Sequence, residues 1–172
     1  MTARAAALVM LIVVPAVLGT ANVAAAEAVV VTPAQIELDA AWTGTPVPTE
    51  PAVGAAWVVR QNGGALLTVT KAIAGNTAAW RSATREKYMD EVEAGLVKGA
   101  EKLSAKRSKV GKDNVPVIDV VMKRKAPGGA SEIVAVRVLL FRTVTVAAAA
   151  AAPDSRSGRK LVEGAVTKLV PR

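Results

Sequence analysis

Hydrophobic positions change rhythm several times along this chain, and each change marks an element. Residues 5–19 are an unbroken apolar and small-residue run behind a short positive start at Arg4. Residues 34–38 alternate, Ile36 and Leu38 against Gln35 and Glu37, which predicts a half-buried strand. Two apolar runs, 55–60 and 65–73, flank Gln61-Asn62-Gly63-Gly64. Asn-Gly tolerates the positive φ of a tight turn, so the runs are expected to pair as an antiparallel hairpin.

From 78 to 107 the period lengthens to three or four residues. Trp80, Thr84, Tyr88, Val92, Leu96, Gly99 and Leu103 would share one buried stripe of a long helix capped by a side-chain oxygen of Gly75-Asn76-Thr77. Glu86 and Asp90 form a like-charge i,i+4 pair on it, and Gly95 and Gly99 weaken it, which makes sense if a sheet backbone approaches there. Residues 115–125 return to alternation, with Ile118, Val120 and Met122 on one face and Asp119 and Lys123 on the other. The run 132–152 is too long for one ordinary strand and predicts either a bent strand or two with a break near Phe141-Arg142. Its six terminal alanines are expected to finish a strand under a closely packed helix. That helix would open at Pro153-Asp154, bury Leu161, Val162, Ala165, Val166 and Leu169, and end at Pro171. The order predicts an α+β fold, an antiparallel β-sheet covered by two amphipathic helices.

The first run has the layout of a secretory signal peptide, with Ala24-Ala25-Ala26 as the cleavage site. About 15 apolar residues interrupted by Pro15 fall short of the roughly 20 that span a bilayer. The expectation is a leader over 1–26 and a single domain over 27–172, exported to the periplasm or beyond, with no transmembrane segment in the mature chain. Prolines 33, 46, 48 and 51 keep the start of that domain to short elements.

The chain has no cysteine and no histidine. Burial alone must hold it in an oxidising compartment, and Ser-His-Asp, Cys-His and the usual zinc ligand sets are excluded. No catalytic, cofactor or metal residues are expected. Asp90, Glu91 and Glu93 are adjacent on the helix and point apart, unlike a glycosidase pair. A hydrophobic share of 52% with only 3% aromatic makes a core of alanine and valine around a few large residues, a composition that points to a GC-rich bacterium. Net charge is +8, or +7 once Arg4 leaves with the leader.

A basic exported domain gathers at anionic surfaces. Lys98, Lys102, Lys106 and Arg107 are the candidate binding residues, the three lysines aligned on one helix face, with Trp42 as a ligand-stacking candidate if exposed. No nucleic acid is expected, since no aromatic residues are interleaved for base stacking.

In element order, from the proline-rich N-terminal strand through the hairpin at Trp57, the helix with Trp80 and Tyr88 and the closing helix at Leu161, the chain resembles the PsbP-like fold family. The resemblance implies a PsbP-like α+β sandwich and an accessory or binding role without catalysis. The expected function is that of a monomeric or weakly associating accessory factor to a protein partner or an anionic envelope polymer. A structural envelope component and a histidine-free hydrolase are the alternatives.

Overall fold

The computed structural model describes residues 27–44 and 56–172. The expected leader lies outside these residues, as do 45–55 and the side chains of 56–59, Trp57 among them. The elements run β1 Glu27–Val31, β2 Ala34–Leu38, β3 Ala56–Asn62, β4 Ala65–Ile73, α1 Thr77–Trp80, α2 Ser82–Leu96, β5 Glu101–Val110, β6 Val115–Lys125, β7 Ser131–Leu140, β8 Val144–Pro153, α3 Arg156–Val166 and β9 Leu169–Pro171. They form an α+β fold with two antiparallel sheets, one of six strands in the order β3-β4-β8-β7-β6-β5 and one of three in the order β1-β2-β9.

The central strands of the large sheet are buried on both faces. In β6, β7 and β8 alternate residues go to different cores, so these strands are mostly apolar instead of half polar. Val117, Val121, Ala135, Leu139, Val146, Ala148 and Ala150 join Val162, Ala165 and Val166 of α3 and the small sheet. Ile118, Val120, Val134, Val136, Val138 and Ala147 join Met89 of α2. The two helices therefore lie on opposite faces of the sheet. Alanine on β8 keeps the α3 side low enough for close approach. The approach is tightest at Gly158, where a Cβ would strike the Pro153 carbonyl oxygen. The expected close contacts at Gly95 and Gly99 are absent: an added Cβ at either meets nothing within 4 Å.

The hairpin forms as the sequence predicts, with Asn62 opposite Ala65 and both Gly63 and Gly64 at positive φ. The long apolar run breaks at 141–143 into β7 and β8, and β2 buries Ile36 and Leu38 as expected. The single helix over 78–107 does not form. Arg81 is extended and divides α1 from α2, and the carbonyls freed at the break accept from Arg85, Nε to Ala79 at 2.8 Å and Nη2 to Trp80 at 3.1 Å. α2 stops at Leu96, the chain turns through Gly99 at φ 78°, and 101–110 is a strand. At the other end, Pro153 closes β8 and Ser155 caps α3, its Oγ accepting from the Gly158 N–H at 2.9 Å. Leu169 and Pro171 belong to β9.

Asn76 does not cap α1 with its side chain. It is fully buried, and its Nδ2 donates to Phe141 O at 2.6 Å, Val144 O at 3.1 Å and Thr145 Oγ1 at 3.0 Å. Its Oδ1 accepts from the Tyr88 hydroxyl at 2.7 Å. One amide thus staples the start of α1 to the β7–β8 turn and to α2. Beside it Trp80 Nε1 donates to Leu140 O at 2.8 Å, and the Arg142 guanidinium stands 5.2 Å from the Trp80 ring centre.

Asn76→Ala leaves buried carbonyls and the Tyr88 hydroxyl without this partner. It is expected to lower stability by about 3 kcal/mol in urea unfolding, whereas Tyr88→Phe costs about 1 kcal/mol.

Candidate functional site

The residues singled out for binding do not share a surface. Lys102, Lys106 and Arg107 lie on strand β5, and Lys98 lies in the turn before it. The helical spacing that would align them is lost. Segment 101–110 has helix-forming residues, but pairing with β6 outweighs that local preference. Arg107 stands opposite Ile118 and Lys102 opposite Met122, both on the α2 face, whereas Lys106 stands opposite Asp119 on the α3 face.

Lys102 and Arg107 are engaged. Glu86, Asp90 and Glu93 follow one another at four and three residues along α2 and converge on the strand. Arg107 Nη1 reaches Glu86 Oε2 at 3.0 Å, and its Nη2 reaches Asp90 Oδ1 at 2.6 Å and Glu93 Oε2 at 2.9 Å. Lys102 Nζ takes the other Glu93 oxygen at 2.8 Å. The hydrogen bonds that Lys102 and then Arg107 donate hold the nearly buried Glu93 carboxyl below its usual range, and those that Arg107 donates to Asp90 and Glu93 raise Arg107. The i,i+4 acid pair that looks unfavourable along the helix becomes a cradle for a cation from the strand. Its signal in the sequence is the 86–90–93 spacing.

Trp42 is buried, with 5% of its surface exposed, so its ring offers no open stacking face. It borders a shallow depression of about 390 Å³ beside Leu161 and Gly164 of α3, rimmed by the Asp39–Lys168 ion pair. A second shallow depression, of about 450 Å³, is lined by Gly99, Glu101, Lys123, Arg124 and Lys125. Two of its cations are already paired, Lys123 with Asp154 at 2.6 Å and Arg124 with Glu132 at 2.6 Å. Asp119, an acid within an apolar strand, accepts both Nε and Nη2 of Arg137, whose Nη1 donates to the Thr167 carbonyl at the end of α3. Among the described residues no group of histidine, cysteine, aspartate or glutamate is placed to hold a metal ion, and no helix is long and apolar enough to cross a membrane.

Four further cations lie along β5 and its turns, while Lys87, Lys125, Arg156 and Lys160 are exposed elsewhere. Lys98, Lys106, Lys109 and Lys112 are exposed and have no ion-pair partner among the described residues. β5 is the last strand of the large sheet on that side, and no described strand pairs with its outer edge. The other outer strand, β3, is partly covered by a bridge between Thr43 and Gln61.

No family model and no curated protein matches the sequence. Among solved structures, the solution structure of cyanobacterial PsbP (CyanoP) from Synechocystis sp. PCC 6803 aligns with 91% of this chain and 98% of its own, with a TM-score of 0.53 and 13% identity. A Pseudomonas aeruginosa protein of unknown function aligns with 87% of this chain and 99% of its own at TM-score 0.44 and 14% identity, a score too low to carry an argument. The likeness to the first shows a PsbP-like fold.

Two outcomes test the cradle. Arg107→Leu is expected to cost about 2 kcal/mol in denaturant unfolding, since it leaves the nearly buried Glu93 and two exposed acids around an apolar side chain. Glu93 titrates below 4.5 in the folded state, so its stabilisation is complete above that value and fades as pH falls through the folded value. Glu93→Gln is expected to flatten the decline of stability below pH 4.5, measured by urea unfolding across the acid range.

Proposed function

We propose that this chain is an exported, non-catalytic domain that works by binding an anionic partner along the outer edge of β5. The observation that carries the reading is the charge arrangement there. Three of the four acids of α2, Glu86, Asp90 and Glu93, are paired with Arg107 and Lys102, and Lys98, Lys106, Lys109 and Lys112 stand nearby without an ion pair among the described residues. Such a row attracts an acidic protein surface or an envelope polymer through its charge, and the attraction weakens as salt rises.

The PsbP-like fold supports an accessory role of this kind, and the leader-like pattern of 1–26 supports export. Glu27, the residue after the expected cleavage, pairs with Leu38 in β1, so the mature chain would keep the β1–β2 hairpin intact. N-terminal sequencing of the protein from its native envelope is expected to begin at Glu27 or Ala28.

The binding reading is tested with the mature chain on immobilised polyglutamate. Lys106→Glu with Lys109→Glu is expected to weaken retention by about tenfold and to lessen its salt dependence, while Lys160→Glu on α3 leaves both near the wild type. Equal retention of all three proteins would refute the reading.

A further inference from the structure

The outer edge of β5 offers backbone as well as charge. Lys109 stands opposite Pro116, which has no N–H, so the paired hydrogen bonds of this ladder fall at the flanking pairs, Val110 with Val115 and Ser108 with Val117. Continuing the alternation, Lys106 and Ser104 bond inward, and the N–H and C=O groups of Ala105, Arg107 and Lys109 face away from β6. Seven residues, 104–110, follow the bulge between Lys102 and Ser104 in unbroken register, and no described strand covers them.

An open strand edge pairs with any extended chain whose side chains it tolerates. Here the side chains discriminate. Lys106 projects on the α3 face and Lys109 on the α2 face, so a strand laid against this edge meets an unpaired ammonium on either side. A second copy of β5 would bring its own lysines to meet them, and the like charges oppose that pairing. An acidic strand would neutralise both lysines while completing the backbone bonds.

We propose that β5 accepts an acidic, extended segment of a partner protein as a seventh strand of the large sheet. The proposal rests on the anionic-partner reading and narrows it, from attraction by charge to addition of a strand. The cradle under Arg107 serves it as well: holding that side chain down on α2 keeps the strand straight and its outward amides in line.

The test uses the mature chain and a short fluorescent peptide of glutamate, threonine and valine, compared with the same peptide N-methylated on alternate residues, which keeps the charge and removes the pairing groups. Fluorescence anisotropy is expected to show binding of the first, loss of about tenfold or more in affinity for the second, and a similar loss with Lys106→Glu and Lys109→Glu. Amide exchange at Ala105, Arg107 and Lys109 is expected to slow in the complex, and Ala105→Pro is expected to abolish binding. Should that variant misfold, the N-methylated peptide still decides the matter. Equal binding of both peptides would overturn strand addition and leave the anionic reading standing. Binding of neither peptide, with polyglutamate still retained, would also overturn strand addition alone. Loss of both peptide binding and polyglutamate retention would sink the two readings together. Concentration-dependent dimers in sedimentation that Ala105→Pro dissolves would assign the edge to a second copy and overturn the acidic partner.

Discussion

Burial of the central strands on both faces is the constraint from which the rest of the structure follows. β6, β7 and β8 place one set of alternate residues in each core, so neither parity can be spared for solvent. Both faces must then be roofed, which puts α3 and the small sheet on one side and α1 and α2 on the other. The alanines of β8 set the spacing on the α3 side. The valines, isoleucine and methionine of β6 and β7 pack under α2 with Ala147 and Ala149 of β8. With so few aromatic side chains, close approach rather than bulk makes these interfaces tight.

The two roofs are held differently. α3 presents Val162, Ala165 and Val166 in a clear apolar stripe, and Gly158 lets its first turn sit almost on the β8 backbone. α2 buries Met89 and nearly buries Glu93. Its apolar contact is supplemented by two polar attachments, the Asn76–Tyr88 hydrogen bond and the carboxylate cradle of Glu86, Asp90 and Glu93 around Arg107. That arrangement also decides the surface. Cations drawn inward by α2 are withdrawn from the outer surface of β5, and Lys106 and Lys109 on that strand are left exposed.

What was legible in the sequence was local. The Gly63-Gly64 turn, the alternation of 34–38 and the break after Leu140 are each dictated by a few neighbouring residues, and each appears where the pattern predicts. The fate of 101–110 was not legible, because its lysines, alanine, leucine and glutamate suit a helix and only pairing with β6 makes it a strand. Gly99 was the one local sign of the change, and its meaning lay in backbone angle rather than in room for a neighbour. The cradle was half visible: the acids at 86, 90 and 93 share a helix face, but the cation that reconciles them comes from a different element. Trp42 illustrates the same limit, since a tryptophan beside a glycine-containing loop gives no hint of the core it joins beside α3.

The small sheet joins the two termini of the domain. β2 lies between β1 and β9, with Ile36 opposite Leu169 and Ala34 opposite Pro171, and the Lys168–Asp39 ion pair links residues 129 positions apart. A chain emerging from its N-terminal side first therefore holds β2 with one flank unpaired until residues 169–171 are released. The small sheet thus closes only after every strand of the large sheet has emerged, and its third strand ties residues 34–36 to residues some 135 positions later in the sequence.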